Sequence, residues 1–339
     1  MQLPTKYIFI AIAPNHIFNF ENIIKNDGAI QQTILLNPGN YNYNPHFWSK
    51  VIIGNLNLNY KASKLVQKVN FQRHKLLGYR SFVKEASSYL NGQTITCNYY
   101  YCNLDDILSN HFFYYLNELY TTVNNYVVED GILNYYFPEI KKTKLNSKKF
   151  LVRKILGLKF NPQLTHPTGI DLSQVRGQYV RLPKKSIYPE KAKQLPFSAL
   201  SYEPKLDTVL IIGQDIMHNN QKGPDYYNKR LDELIRRIED KHKQAKIIYK
   251  PHRNGDFSIA VNKLKKVFPD YKLFQEITPI EECITVIKPE HIYSFESSAM
   301  LNLKIAITNR NVSIRVLPYG NNNEDLLKIF ADLGIIILQ

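Results

Sequence analysis

Short apolar runs alternate with segments of helical spacing over most of the chain, and few architectures accommodate that pattern. The first run, Tyr7–Ala13, breaks at Pro14-Asn15, after which Phe18, Ile23 and Ile24 recur at helical spacing. Further runs follow at Thr33–Leu36, Val51–Ile53 and Thr94–Tyr101, with helical patterns over Leu65–Leu90 and Leu104–Tyr120. The second helical pattern opens near Asp105-Asp106, where acids complement the positive end of the helix dipole. Tyr126–Val128 is the last run of this half and leads into Glu129-Asp130-Gly131. Strands and helices in alternation build a parallel sheet covered on both faces, because each parallel crossover needs a helix.

Leu182–Pro204 interrupts the pattern with four prolines and several lysines. Proline restricts its own backbone and that of the preceding residue to extended conformations, so this stretch is predicted as an interdomain linker. The alternation then resumes. Thr208–Ile212 leads into Gly213-Gln214, and Tyr226–Lys243 carries one apolar stripe of Leu231, Leu234, Ile235 and Ile238. Ile247-Ile248-Tyr249 breaks at Pro251, ahead of a helical pattern from Phe257 to Phe268. Strands are predicted at Lys272–Phe274, His291–Phe295, Leu303–Ile307 and Ile335–Leu338, and helices from Pro279 and over Asp325–Leu333. The resulting division is an α/β domain over residues 1–195 and a second over 205–339, each long enough to bury a core.

Lys and Arg number 44 against 29 Asp and Glu, a net charge of +15, which calls for an anionic partner: a nucleotide, an acidic lipid surface, an acidic polysaccharide or a nucleic acid. No RNP-like, KH or zinc-finger pattern is present, which disfavours nucleic acid. Tyr7–Ala13 is far shorter than the ~20 apolar residues of a membrane span. The expectation is a soluble or peripherally bound protein. Three cysteines, Cys97, Cys102 and Cys283, are too few and wrongly spaced for a zinc site and suggest a reducing compartment.

Three strand-end loops hold the chemistry-bearing residues. In open α/β sheets ligands bind beyond the carboxyl ends of the strands. Glu129-Asp130-Gly131 offers carboxylates. Lys250-Pro251-His252-Arg253 offers a titratable His between two cations, suited to an anionic leaving group. Ser297-Ser298, behind Glu296, offers hydroxyls and a helix start, which bind phosphate oxygens without a metal. His16, after the first strand, fits a cleft residue or a packed surface one, and the second reading is favoured. Transfer of a sugar from a nucleotide needs a base for the acceptor hydroxyl and positive charge for the departing phosphate, and these loops supply both. No two aspartates are separated by a single residue, the spacing with which many nucleotide-sugar enzymes hold a divalent ion, so a metal-free site is expected.

Taken together, these motifs resemble the bacterial sialyltransferases, in particular the capsule polysialyltransferases of glycosyltransferase family 38 and the lipooligosaccharide sialyltransferases of family 52. Glu129-Asp130-Gly131 matches their acidic pair followed by Gly, and Phe295-Glu296-Ser297-Ser298-Ala299-Met300 matches their Ser-Ser/Thr motif. Leu210–Gln214 looks like the start of the family 52 donor domain, and Glu129–Tyr136 with Lys149–Leu158 looks like the polysialyltransferase arrangement. The family's His-Pro motif is altered: Arg253 follows His252, and Pro251 precedes it.

The resemblance implies a GT-B-like fold of two Rossmann-like domains facing across a cleft. It implies a CMP-sialic acid donor, inversion at the anomeric carbon and no metal or other cofactor. By residue, it implies Glu129 as general base with Asp130 as second choice, Gly131 as the motif glycine, and His252 as acid or phosphate partner. Gly213, Gln214, Lys250, Pro251, Arg253, Glu296, Ser297 and Ser298 would lie on the donor. The implied acceptor is a capsule or lipooligosaccharide glycan, and the implied location is the cytoplasmic face of the bacterial inner membrane; peripheral attachment is expected through basic loops such as Lys141–Lys149, read as an exposed loop, and the Lys184–Lys193 region. Two alternatives stay open: a transferase using another CMP-sugar of the Kdo type, and a catalytically silent polysaccharide-assembly protein, suggested by the altered His-Pro motif.

Overall fold

A computed structural model describes residues 5–28, 32–56, 65–91, 96–137, 144–163, 165–215, 223–252, 255–276, 278–319 and 324–339. The chain divides into two compact units, Met1–Phe197 and Ser198–Gln339.

In the first domain the described elements run β1 (Lys6–Ile10), α1 (Pro14–Asp27), β2 (Thr33–Asn37), β3 (Lys50–Ile53), α2 (Leu65–Leu90), β4 (Thr96–Tyr101), α3 (Ile107–Leu119), β5 (Thr122–Val128), α4 (Lys144–Leu156), β6 (Val175–Val180) and β7 (Ala192–Gln194). The strands form one parallel sheet in the order β3-β2-β1-β4-β5-β6-β7. Successive side chains of β1 leave opposite faces: Ile8 and Ile10 join the core beneath α2 and α3, while Phe9 packs with Phe20 of α1, Trp48 and Tyr100. A strand buried on both faces has to be apolar throughout, which is why β1 reads as a continuous hydrophobic run.

The second domain runs β8 (Lys205–Ile212), α5 (Gly223–Lys241), β9 (Lys246–Lys250), α6 (Ser258–Val267), β10 (Lys272–Leu273), α7 (Ile280–Ile287), β11 (Pro289–Phe295), α8 (Ser298–Ala306), β12 (Ser313–Leu317), α9 (Glu324–Asp332) and β13 (Ile336–Ile337). Its sheet is also parallel, in the order β10-β9-β8-β11-β12-β13. The predicted stripe of α5 is buried, with Leu231, Leu234, Ile235 and Ile238 in one core with Val209, Ile247 and Tyr249. The expected class, two Rossmann-like α/β domains, is the one observed. In both sheets the strand order reverses beside the first strand, between β1 and β4 and between β8 and β11, so each domain has a topological switch point at which loops diverge.

Three expectations need correction. Leu303–Ile307 is not a strand. Met300, Leu301, Leu303 and Ala306 are buried at helical spacing in α8, and the fifth strand of this sheet is β12 instead; a short apolar run does not by itself distinguish the two. Lys144 onward is helix α4 rather than exposed loop, while Lys141–Thr143 lie outside the described residues. The proline-rich stretch from Leu182 still belongs to the first domain, because Ala192–Gln194 pairs along β6 as the edge strand β7.

At the amino-terminal edge of the second sheet, the rings of His242 and His291 lie 4.4 Å apart, and His242 Nε2 meets the Tyr293 hydroxyl at 2.8 Å. Burial, followed by His291, Arg315 and Lys241, pushes the His242 pKa down to about 4, with Glu290 opposing. Burial and Arg315 also lower that of His291. The fold therefore favours neutral rings, and their contribution is complete above the unfolded value near 6.5 and is lost as pH falls from there through about 4. Thermal unfolding followed from pH 7 to pH 4 should show a falling midpoint, with a shallower fall in His242→Gln. Parallel curves for the two proteins would remove this pair as the cause.

Candidate active site

Beside the switch point of the first sheet, the ends of β1 and β5 bring together His16, Glu129 and Asp130. Glu129 follows β5 and is fully buried. Its carboxylate accepts from the Tyr135 hydroxyl, from the Arg181 backbone N–H at 2.7 Å and from the Arg181 guanidinium at 2.6 Å. Arg181, itself 7% exposed, also donates to Asn19 Oδ1 at 2.9 Å, and Asn19 Nδ2 donates to the Glu129 carbonyl at 3.3 Å. A buried ion pair is tolerable only when its remaining hydrogen-bonding capacity is met, and this one is met from three segments of the chain. Burial and the adjacent carboxylate raise the Tyr135 pKa well above its ordinary value, so the phenol keeps its proton and remains a donor to Glu129.

The next carboxylate is placed differently. The Asp130 side chain is 27% exposed. The Ile12 N–H donates to His16 Nδ1 at 3.4 Å, which leaves the ring proton on Nε2, and Nε2 donates to Asp130 Oδ1 at 3.3 Å. His16 is buried, contrary to its reading as a packed surface residue. The Asp130 N–H donates to Asn134 Oδ1 at 3.2 Å. Gly131 follows with φ +62°, the left-handed region that favours glycine, and opens the 3-10 turn that carries Asn134 and Tyr135 back to the acidic pair. Asp106, after β4, caps α3 through Leu108 and Ser109; burial raises its pKa, and His16 is among the groups opposing that rise.

In the second domain Gly213 and His252 lie against a buried carboxylate that does not stand out in the sequence. Asp215, two residues after Gly213, is fully buried. Its Oδ1 accepts from the hydroxyls of Tyr227 (3.2 Å) and Tyr249 (2.5 Å), and its Oδ2 accepts from the His252 backbone N–H at 2.8 Å. A Cβ at Gly213 would collide with Tyr249 and Asp215, and one at Gly255 would collide with Asp215, so both glycines permit this close approach. Gly213 also donates to the Lys250 carbonyl at 2.8 Å. Gln214 and Pro251 are half-buried between these anchors.

Lys250 is 7% exposed; its ammonium donates to the Glu276 carbonyl at 2.6 Å and lies over the Phe274 ring, and burial lowers its pKa. Arg253 lies outside the described residues. Glu296 accepts from the Tyr319 N–H at 2.9 Å. Ser297 is the N-cap residue of α8, yet its side chain makes no capping bond. Its hydroxyl is buried and has no partner among the described residues, beside the amino terminus of a nine-residue helix that begins at Ser298. An unfilled hydroxyl beside a helix amino terminus is an arrangement that can receive an anion. Among the described residues, no group of three or more His, Cys, Asp or Glu is arranged to hold a metal ion.

The fold is similar to that of an α/β-galactoside α-2,3-sialyltransferase from the luminous marine bacterium Photobacterium phosphoreum, at TM-score 0.53 and 12% identity over 98% of each chain. It is also similar to Arabidopsis thaliana UGT89C1, solved with UDP-L-rhamnose, at TM-score 0.51 and 6% identity over 99% of this chain and 85% of that one. A sialyltransferase from Photobacterium damsela aligns with 99% of this chain and 82% of its own at TM-score 0.48 and 12% identity. No protein-family model matches the chain, and no curated protein matches it in sequence. The likeness is one of fold: the chain has the two-domain α/β architecture of GT-B glycosyltransferases.

Asn19, Arg181 and Asp215 do not stand out along the chain, and His16 reads there as a packed surface residue. Asp215 and His16 both follow first strands at a switch point, and that position was the available signal. Arg181 follows β6, a strand that the polar sequence Val-Arg-Gly-Gln-Tyr-Val did not reveal. The contrast within the acidic pair is measurable. Glu129→Gln and Arg181→Met should each destabilise the protein by about 3–5 kcal/mol, since each leaves a buried charge unpaired. Asp130→Asn should cost no more than about 1 kcal/mol, as expected for a partly solvated hydrogen bond. Denaturant titration of the three variants checks this, and equal stability of Glu129→Gln and wild type would contradict the structural role given to Glu129.

Proposed function

We propose that the chain is an inverting, metal-independent glycosyltransferase that moves sialic acid from CMP-sialic acid to a cell-surface glycan, of the capsule or lipooligosaccharide type. The GT-B-type fold supports a nucleotide-sugar transferase, and the sequence motifs supply the donor and acceptor classes. One observation carries the catalytic assignment. Of the two adjacent carboxylates, Glu129 is committed to Arg181 and Tyr135, while Asp130 is partly solvated and oriented by His16. A base must reach the acceptor hydroxyl, so the reading assigns the proton to Asp130 and a scaffolding role to Glu129.

In the second domain, the Ser297 hydroxyl and the start of α8 would take the donor phosphate. His252, with its backbone held by Asp215, would serve the departing CMP. Lys250 contributes little of the positive charge first ascribed to it, because its ammonium is committed to the Glu276 carbonyl. The net charge of +15 suits both an anionic glycan and the inner face of a membrane, where the protein would work as a peripheral enzyme. No helix among the described residues is long and apolar enough to cross a bilayer.

The test is transfer from CMP-sialic acid to an array of glycan acceptors, with products analysed by mass and CMP-Kdo run in parallel. Asp130→Asn should lower transfer roughly 10²–10⁴-fold, the usual cost of losing a general base, with the donor KM little changed. Ser297→Ala should raise the donor KM instead. Activity in EDTA should equal activity in magnesium. Turnover of CMP-Kdo alone would reassign the donor, restoration by metal of activity lost to EDTA would overturn the metal-free site, and turnover of neither donor would favour a silent assembly protein.

A further inference from the structure

We propose that helix α4 lies against an anionic lipid bilayer, seated by an apolar tip as well as by charge. This does not rest on the enzymatic reading, and it replaces a purely electrostatic attachment through basic loops with one defined surface. Three large apolar side chains stand out from a stretch of six residues: Phe150 is 42% exposed, Leu151 60% and Ile155 58%. The exposed Lys154 lies beside them. Leu151 and Ile155 are four residues apart, and Leu151 and Lys154 three, so they share one side of the helix.

The opposite side is fixed to the domain. Val152 and Leu156 pack on the core of the first sheet, the Lys149 ammonium donates to Asp105 at 2.5 Å, and the Arg153 guanidinium donates to the Phe160 carbonyl at 2.9 Å. The outward display of Leu151 and Ile155 is therefore set by how the helix is anchored.

Charge selects the occupant. Lys144–Leu156 contains five cations and no acid, in a chain of net charge +15; Lys149 and Arg153 anchor the helix, and Lys154 is exposed beside the apolar tips. A second copy of the same helix would bring like charges together, which disfavours self-pairing. A soluble polyanion would satisfy the lysines but not the exposed Leu and Ile. A bilayer with anionic headgroups satisfies both, the apolar tips entering the headgroup–acyl boundary and the exposed Lys154 beside them meeting the headgroups.

Co-sedimentation of the full chain with vesicles of phosphatidylcholine alone, or of phosphatidylcholine with phosphatidylglycerol, tests this. The protein should bind the mixed vesicles and not the neutral ones, and part of the binding should persist at high salt. Leu151→Asp/Ile155→Asp should reduce binding at least tenfold while leaving thermal unfolding unchanged, because both side chains are largely solvated. Leu151→Trp should give a blue-shifted emission on adding mixed vesicles, whereas the wild-type emission, from the single and buried Trp48, should not move. Undiminished binding by the double Asp variant, or an unshifted Trp at 151, would place the contact elsewhere and overturn the proposal. So would absence of vesicle binding together with a concentration-dependent oligomer abolished by the double variant, which would identify a second copy as the occupant. Binding to dextran sulfate equal to that to mixed vesicles, with no effect of the double variant, would show that charge alone acts.

Discussion

The ion pair between Glu129 and Arg181 governs how the strand ends of the first domain are held together. A carboxylate with no solvent exposure carries a desolvation penalty that only close, fully hydrogen-bonded partners offset. Meeting that demand ties the end of β5 to the end of β6 through Arg181, to α1 through Asn19, and to the turn after Gly131 through Tyr135. These are the segments around Asp130. The position of the more exposed carboxylate is thus a consequence of how the buried one is satisfied.

The second domain repeats the device with other residues. Asp215 is buried, is satisfied by two tyrosine hydroxyls, and spends its remaining oxygen on the backbone of His252. In each domain a fully buried carboxylate just past a strand end immobilises the loop that carries a more accessible residue. Rigid placement matters for chemistry because a misplacement of about 1 Å can cost on the order of 10²-fold in rate. The close approaches of Gly213 and Gly255 to Asp215 belong to the same arrangement.

Much of the fold was legible along the chain because parallel strands buried on both faces must be apolar throughout. β1, β9 and β11 stand out on that ground. β6 and β7 do not: one is interrupted by Arg and Gln, and the other is an edge strand of three residues in a proline-rich stretch. The latter half of α8 passed as a strand because four residues of an apolar run fit either period. The strand-end position of the three loops was legible, but the contacts within them were not. Whether Glu129 or Asp130 is buried depends on Arg181, 52 residues downstream, and on His16, 114 residues upstream, and local spacing contains neither. Lys250 read as a cation available to an anion, yet its side chain is turned into the domain by the carbonyl of Glu276.

The most direct measurement is the ratio of sugar transfer to donor hydrolysis by water, taken at saturating CMP-sialic acid in wild type, Asp130→Asn and Glu129→Gln. Both reactions need CMP to depart, but only transfer needs a base set on the acceptor hydroxyl. The account predicts that the ratio collapses in Asp130→Asn, and that correctly folded Glu129→Gln keeps a ratio near that of wild type with a lower yield of folded protein. A collapsed ratio in Glu129→Gln, with the wild-type ratio retained in Asp130→Asn, would contradict it.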